Sequence, residues 1–127
     1  MKIPNIFNCE IAVIGLGYVG LPLALELATA KRCVKSGKKI NRRIIGFDIN
    51  EKRIIQLKKG VDYTNECDKK KFQASERITF TSNTELLQKA EIFIITVPTP
   101  VDSHKNPDLL PLKKASETIG KILKLKF

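Results

Sequence analysis

One stretch of the sequence decides the fold, and it reads Ile11-Ala12-Val13-Ile14-Gly15-Leu16-Gly17-Tyr18-Val19-Gly20-Leu21-Pro22-Leu23. Its apolar beginning predicts a buried β-strand, and the leucines after Gly20, with Pro22 in the first turn, predict a helix. A G-x-G-x-x-G turn that leaves a strand and opens a helix is typical of dinucleotide-binding proteins. A glycine-rich turn of another α/β protein is the alternative at this point.

The three glycines have different purposes in a dinucleotide-binding turn. Gly15 permits the tight turn, Gly17 lets the backbone approach a pyrophosphate, and Gly20 lets the helix pack closely on the strand. The helix N-terminus offers free N–H groups and the positive end of its dipole to the phosphates. We therefore expect a phosphate-binding site at this turn.

Length and composition indicate one globular domain. The 127 residues suffice for a hydrophobic core, and 43% hydrophobic with 28% charged residues argue against a disordered chain. No apolar run approaches the roughly 20 residues of a membrane span, and residues 1–4 lack the apolar core of a signal peptide. We expect a cytoplasmic protein that does not contact a membrane.

The three cysteines, Cys9, Cys33 and Cys67, are odd in number and widely spaced, without a C-x-x-C pair. This pattern argues against a disulfide framework and against a zinc site, so we expect no bound metal. His104 is the only histidine, and nothing in the spacing supports a Cys/His nucleophilic pair. We expect Cys9 to be a core residue beside the first strand and His104 to be exposed in a loop.

The net charge of +10 is concentrated in residues 31–43, which contain no acidic side chain. Such a run is compatible with binding to nucleic acid or to an anionic surface. More often it is a solvated helix end and loop. We favour the second interpretation, with a nucleic-acid or acidic partner as the alternative.

Hydrophobic periodicity predicts strands that alternate with helices. Apolar, β-branched runs predict strands at residues 9–14, 44–48, 77–80 and 91–97. Helical spacing predicts helices at residues 18–36, 51–59, 82–90 and 112–123. Gly37 is the predicted stop of the first helix, and Asn50 and Asp108 are predicted N-caps. Residues 82–85 are predicted to form a capping box, and residues 61–75 are interpreted as a loop or a short helix.

This order of elements predicts an α/β fold, namely a Rossmann-like, doubly wound and mostly parallel sheet with right-handed crossovers. A last helix with an apolar stripe normally leads into another parallel strand. None follows before residue 127. We therefore expect a sheet that is truncated after about four strands.

Asp48 ends the second predicted strand 33 positions after Gly15, whereas the dinucleotide fingerprint expects an acidic residue about 20 positions on. Removing the 12 residues 31–42 leaves a spacing of 21, so this basic segment is interpreted as an insertion into a regular βαβ unit. The first helix begins at the ligand edge of the sheet and ends at the opposite edge. The insertion is therefore expected far from a bound dinucleotide.

Ligands of doubly wound sheets bind beyond the carboxyl ends of the strands. The glycine turn, Asp48 and residues 96–100 all fall at such ends. Three features at one edge strengthen the prediction of a binding site there.

Several of these segments together resemble the N-terminal NAD-binding domain of the UDP-glucose/GDP-mannose dehydrogenase family. The resemblance covers nearly the whole chain apart from residues 31–42, and it is carried by residues 14–24, 46–48, 53–54, 96–100 and 107–109. The V-P-T-P loop and residues 114–120 are most similar to UDP-N-acetylhexosamine 6-dehydrogenases of polysaccharide biosynthesis, including the Vi-antigen type.

The resemblance implies an NAD-dependent oxidoreductase. The family oxidises the C6 alcohol of a nucleotide sugar to a carboxylate in two NAD-dependent steps, through a cysteine thiohemiacetal. It implies a UDP-sugar substrate and a homo-oligomer for the full-length enzyme. The catalytic cysteine and lysine of the family, its dimerisation helix and its nucleotide-sugar domain lie downstream of residue 127. We therefore expect residues 1–127 to be an incomplete NAD-binding domain without catalytic residues, inactive alone.

The resemblance also implies a set of cofactor-binding residues. They are Gly15, Leu16, Gly17, Tyr18, Val19, Gly20, Asp48, Arg53, Val97, Pro98 and Thr99. Asp48 is expected on the adenosine ribose hydroxyls, which favours NAD over NADP. Arg53 is expected against the adenine, with a salt bridge to Asp48 or Glu51 as the alternative. Thr99 is expected near the dinucleotide, and a plain strand-ending loop is the alternative.

Overall fold

A computed structural model describes residues 2–62, 72 and 76–126 of the chain. Its elements follow in the order β1 (Glu10–Ile14), α1 (Gly20–Thr29), β2 (Arg43–Phe47), α2 (Glu51–Lys58), β3 (Ile78–Thr81), a 3₁₀ helix (Thr84–Lys89), β4 (Ile92–Ile95) and α3 (Leu110–Lys126).

The four strands form one parallel sheet in the order β3-β2-β1-β4. The chain crosses from β1 outward to β2 and β3, then returns to the other side of β1 with β4. The strand order therefore reverses beside β1, which is where open α/β sheets bind their ligands. The prediction of a Rossmann-like α/β fold is confirmed.

Hydrophobic clusters cover both faces of the sheet. Alternation along β1 sends Ile11 and Val13 to one face and Ala12 and Ile14 to the other. The first face packs against leucines of α1 and α2, which are Leu21, Leu25 and Leu57. The second face packs against the 3₁₀ helix and α3 through Leu87, Ile119 and Ile122. β1 is thus buried on both sides, which holds the turn after it on a rigid base.

The predicted length of the first helix is wrong. α1 ends at Thr29, and Ala30 has extended φ and ψ angles of −66° and 122°. The Thr29 hydroxyl donates to the carbonyl oxygen of Leu25 at 2.9 Å, which is a local bond from a side chain to the helix backbone. Farther along, Val34 is fully exposed. The residues that continued the helical pattern in the sequence thus have no core to pack against.

Residues 31–42, which we call the basic loop, fold back on themselves through an antiparallel bridge between Arg32 and Lys39. Gly37 has a φ of 70° and donates its N–H to the carbonyl oxygen of Cys33 at 2.8 Å. It belongs to the turn of this loop and does not end a helix. The loop leads directly into the start of β2, so it lies at the amino ends of the strands, opposite the glycine turn.

The predicted N-caps at Asn50 and Asp108 are confirmed. The Asn50 side chain accepts hydrogen bonds from the N–H groups of Lys52 and Arg53, and Asp108 accepts from Leu110. The 3₁₀ helix is capped by Asn83, whereas the predicted capping box began one residue earlier. Most of residues 61–75, interpreted from the sequence as a loop or short helix, lie outside the described residues.

Two predictions about single residues are confirmed. Cys9 is buried beside β1, and His104 is exposed in the loop before α3. In the described part of the chain, no helix has the length and apolar character needed to cross a membrane.

Candidate functional site

The glycine turn follows β1 at the carboxyl edge of the sheet, between β2 and β4. The N–H of Gly15 donates to the carbonyl oxygen of Phe47, the last residue of β2, at 2.8 Å. Gly15 has a φ of 101°, and a Cβ there would lie 2.8 Å from the carbonyl oxygen of Thr96. Only glycine fits both conditions, since a side chain would be strained and would clash with backbone.

The other two glycines of the turn have opposite surroundings. A Cβ on Gly20 would overlap the carbonyl oxygen of Gly15 and the hydroxyl of Thr96. A Cβ on Gly17 would meet no protein atom within 4 Å. Gly20 is therefore required by the packing of helix on strand, whereas Gly17 leaves space that the protein itself does not fill.

One peptide group of the turn is held from two neighbouring strands. Its carbonyl oxygen, on Gly15, accepts a hydrogen bond from the Thr96 hydroxyl at 2.7 Å. Its N–H, on Leu16, donates to Asp48 Oδ2 at 3.0 Å. Sequence reasoning placed Thr96 at a strand end without a role. The sequence shows a hydroxyl side chain at the end of a predicted strand, but it does not show the partner of that hydroxyl on the glycine turn.

The next peptide group is held from α2. Arg53 Nε donates to the carbonyl oxygen of Leu16 at 2.9 Å, and Arg53 Nη1 pairs with Asp62 Oδ1 at 3.1 Å. The side chains of Arg53 and Asp62 are only 10% and 8% exposed. The predicted alternative, a salt bridge from Arg53 to Asp48 or Glu51, is therefore wrong, because its ion-pair partner is Asp62.

The N-terminus of α1 has backbone N–H groups that are available to a ligand. Val19 is its N-cap residue and makes no side-chain capping bond. Among the described residues, no hydrogen-bond acceptor is found for the N–H groups of Gly17, Tyr18, Val19 or Gly20. The first three of these residues are exposed. Unpaired N–H groups at the positive end of a helix dipole match the oxygens of a pyrophosphate.

Asp48 lies directly after β2, and its carboxylate can accept more hydrogen bonds than the protein donates to it. Its Oδ1 accepts from the N–H of Asn50 at 2.9 Å and its Oδ2 from that of Leu16 at 3.0 Å. A carboxylate offers about four lone-pair positions, so about two are available to hydroxyl groups of a ligand. An adenosine diphosphate group requires hydrogen-bond donors for its phosphates and nearby acceptors for its ribose hydroxyls, and this site offers both. The residues present therefore fit NAD.

The loop after β4 is the third part of the site. Val97 packs against the core on the α3 side of the sheet, whereas Pro98 and Thr99 are exposed. A Cβ on Gly15 would lie 2.9 Å from the nitrogen of Val97, so loop and glycine turn are in direct contact. A bridge between Val101 and Pro107 closes the loop on itself.

The structure thus brings together most of the residues predicted for the site. Around the turn at residues 15–20 it places Asp48 at the end of β2, Arg53 on α2 and the residues after β4. The basic loop lies elsewhere, since Arg43 after it donates its N–H to the carbonyl oxygen of Cys9 at the amino end of β1.

Comparison with known proteins supports the same interpretation. Residues 9–126 match the sequence model of the NAD-binding domain of the UDP-glucose/GDP-mannose dehydrogenase family. The chain is 52% identical over 117 residues to the UDP-N-acetyl-D-glucosamine 6-dehydrogenase of Pseudomonas aeruginosa, covering 92% of this chain and 25% of that protein. It is 47% identical over 119 residues to the same-named enzyme of Salmonella typhi, covering 94% and 25%.

Solved structures agree with the sequence relatives. The UDP-D-ManNAc dehydrogenase of Pyrococcus horikoshii superposes with a TM-score of 0.72 at 31% identity, over 89% of this chain and 25% of that one. A GDP-mannose dehydrogenase of Pseudomonas aeruginosa shares the fold, with a TM-score of 0.73 at 23% identity over 87% and 24%. The chain spans about a quarter of the length of these relatives. These matches do not favour the alternative of a nucleic-acid-binding module.

Proposed function

The chain belongs to the UDP-glucose/GDP-mannose dehydrogenase family, as an NAD-binding domain, and from this premise we propose the reaction that it serves. That reaction is the NAD-dependent oxidation of a UDP-N-acetylhexosamine at C6 to the uronic acid, for polysaccharide biosynthesis. The curated relatives at 52% and 47% identity are both UDP-N-acetyl-D-glucosamine 6-dehydrogenases, which supports this substrate class.

The observation that carries the proposal is the pairing of the glycine turn with Asp48. We propose that the N–H groups of residues 17–20 bind the pyrophosphate of NAD and that Asp48 accepts hydrogen bonds from the adenosine ribose. The distance of 3.0 Å between Leu16 N and Asp48 Oδ2 supports this placement, because it puts phosphate donors and ribose acceptor side by side. Bound NAD supplies the hydride acceptor, whereas these residues bind and orient it.

Arg53 and the loop after β4 complete the proposed NAD site. We propose that Arg53 lies on the adenine side of the site, where its Nε holds the carbonyl oxygen of Leu16 and its side chain is only 10% exposed. Val97, Pro98 and Thr99 line the site from the neighbouring strand. The prolines on both sides of Thr99 restrict its loop to extended conformations.

The choice between NAD and NADP depends on charge. A 2′-phosphate on the adenosine ribose would meet the Asp48 carboxylate, which is already tied to two backbone N–H groups and has no cation paired with it among the described residues. Like charges repel, so we propose that the site selects NAD.

The chemistry of the sugar requires groups that the described site does not contain. Cys9 lies before β1 and Cys33 lies in the basic loop, so both are at the amino edge of the sheet, away from the glycine turn. Neither is placed to attack a substrate at the NAD site. We propose that the catalytic residues of the enzyme lie outside residues 1–127.

We also propose the wider organisation of the protein. Residues 1–127 form one NAD-binding domain with an insertion at residues 31–42, and the full enzyme binds a UDP-sugar and is a homo-oligomer. The relatives' fourfold greater length supports further domains. We also propose that the enzyme is cytoplasmic.

The assay that tests this proposal monitors cofactor binding and NADH formation separately. We expect the 127-residue chain to bind NAD in an equilibrium titration and to form no NADH when UDP-N-acetylglucosamine is added. Absence of NAD binding would contradict the assignment of the site. Formation of NADH would contradict the assignment of the catalytic residues to another part of the enzyme.

A further inference from the structure

Arg53 contacts the glycine turn in a way that a cofactor ligand does not require. Its Nε donates to the carbonyl oxygen of Leu16 at 2.9 Å, and its Nη1 donates to Asp62 Oδ1 at 3.1 Å. Both ionic side chains are at least nine-tenths buried. The guanidinium therefore forms a bridge from the carboxylate of Asp62 to the backbone of the turn.

The carbonyl that Arg53 holds shares a peptide group with the N–H of Gly17. A trans peptide group is planar, and its C=O and N–H point in opposite directions. Holding the carbonyl oxygen of Leu16 toward α2 therefore turns the N–H of Gly17 away from α2. On that other side Gly17 is exposed and meets no protein atom where a Cβ would lie.

We propose that Asp62 is a positioning residue of the NAD site, which acts through Arg53 to aim the N–H of Gly17 at the pyrophosphate. This role rests on the proposed function. Asp62 is linked to the turn through Arg53, whose guanidinium bonds both the Asp62 carboxylate and the Leu16 carbonyl oxygen. Its carboxylate fixes the guanidinium, the guanidinium fixes the Leu16 carbonyl, and the peptide group transmits the orientation to the donor.

The ion pair is needed because the guanidinium is buried. A buried cation that loses its counter-charge is strongly destabilised and moves toward water if it can. Arg53 without a charged partner would therefore leave the Leu16 carbonyl, and the Leu16–Gly17 peptide group would be free to rotate. The preceding peptide group is held separately, by Thr96 and Asp48, so the ribose acceptor keeps its place.

This difference between the two peptide groups gives the role a specific signature. Loss of the Asp62 charge should weaken ligands that contain the pyrophosphate and spare those that contain only the nucleoside. A direct contact of Arg53 with adenine, or a general loss of structure, would weaken both kinds of ligand. ADP-ribose and adenosine are therefore the two probes.

The experiment compares the unsubstituted chain with Asp62→Asn, which keeps the shape and removes the charge. Glu117→Gln removes the same charge from an exposed position on α3 and is the matched control. ADP-ribose is titrated by calorimetry and adenosine by NMR. We expect D62N to bind ADP-ribose about tenfold more weakly, as for loss of one well-formed hydrogen bond, and E117Q to bind it unchanged. We expect adenosine binding to be equal in all three proteins.

A second measurement uses only the unsubstituted chain, so it does not depend on whether a variant folds. It is the rate at which the Arg53 Nε–H exchanges with solvent. The Arg53 Nε–H should exchange slowly with solvent, as a buried hydrogen bond to Leu16 requires. Fast exchange of this proton would overturn the inference, as would D62N that binds ADP-ribose as tightly as the unsubstituted chain or that loses adenosine to the same degree. Failure of the unsubstituted chain to bind ADP-ribose at all would instead contradict the proposed function, and with it this role.

Discussion

The main-chain N–H of Leu16 donates to the carboxylate of Asp48 at 3.0 Å, so the turn after β1 is bonded directly to the end of β2. The turn with the proposed phosphate donors and the proposed ribose acceptor Asp48 are thus parts of one connected unit, although 32 positions of sequence separate Leu16 from Asp48. The basic loop accounts for much of that separation and lies at the opposite edge. An insertion there lengthens the sequence spacing without moving Asp48 away from the turn.

Gly20→Ala is expected to destabilise the fold. The new Cβ would overlap the Gly15 carbonyl and the Thr96 hydroxyl, and backbone cannot yield as a flexible side chain does. We expect a loss of about 2–4 kcal/mol in the free energy of unfolding, measured by chemical denaturation. Gly120→Ala is the matched control, because a Cβ at this position in α3 meets nothing within 4 Å. It should stabilise the helix by up to about 1 kcal/mol, and equal effects of the two substitutions would refute the packing role of Gly20.

Gly17→Ala is expected to separate binding from stability. No protein atom lies within 4 Å of the added Cβ, so the free energy of unfolding should stay within about 1 kcal/mol of the original. The methyl group would occupy space proposed for the pyrophosphate, so NAD affinity should fall by about tenfold or more. Calorimetry and denaturation on the same sample measure both quantities. Undiminished NAD affinity would argue against a pyrophosphate over Gly17.

Thr96→Val is expected to loosen the turn while preserving side-chain shape. It removes the hydroxyl that donates to the Gly15 carbonyl at 2.7 Å, and a hydrogen bond of this kind contributes about 1 kcal/mol. We expect a loss of that size in the free energy of unfolding, with weaker NAD binding. Thr96→Ser retains the hydroxyl and should recover most of both. If Ser and Val substitutions behave alike, the hydroxyl is not the group that matters.

The two described cysteines are expected to differ in the pH dependence of alkylation. Hydrogen bonds from the Ser36 hydroxyl and from the backbone of Ser36 and Lys35 lower the pKa of Cys33, whereas burial raises the pKa of Cys9. The thiolate is the reactive form, so Cys33 should react with iodoacetamide at lower pH than Cys9. Peptide mass spectrometry across a pH series measures both rates. Ser36→Ala should move the Cys33 midpoint to higher pH, and an unmoved midpoint would contradict this cause.

Local patterns in the sequence predicted where the central residues of the candidate site lie. The glycine turn, Asp48 and the cap at Asn50 depend on residues close together or on one strand end, and all three are found where expected. The end of α1 was mispredicted because the residues after Thr29 continue a helical pattern that has no core beneath it. A helical pattern in the sequence shows the spacing of apolar residues, but it does not show whether other parts of the chain pack against them.

The supporting contacts could not be predicted in the same way. The Thr96 hydroxyl and the Gly15 carbonyl are 81 positions apart, and only the sheet order that places β4 beside β1 brings them together. The partner of Arg53 was also beyond sequence reasoning, since Asp48 and Glu51 are nearer in the chain than Asp62. The direction in which the Arg53 side chain leaves α2 determines which carboxylate it pairs with. Its guanidinium is buried and pairs with Asp62.

The central claim is that the glycine turn and Asp48 together form an NAD site, and calorimetric titration of the unsubstituted chain with NAD and with NADP tests it most directly. We predict measurable binding of NAD and at least about tenfold weaker binding of NADP, because the Asp48 carboxylate would accept hydrogen bonds from the ribose hydroxyls and would repel a 2′-phosphate. Asp48→Asn should weaken NAD and narrow the difference between the two cofactors. Equal affinity of the unsubstituted chain for NAD and NADP, or no binding of either, would contradict the account.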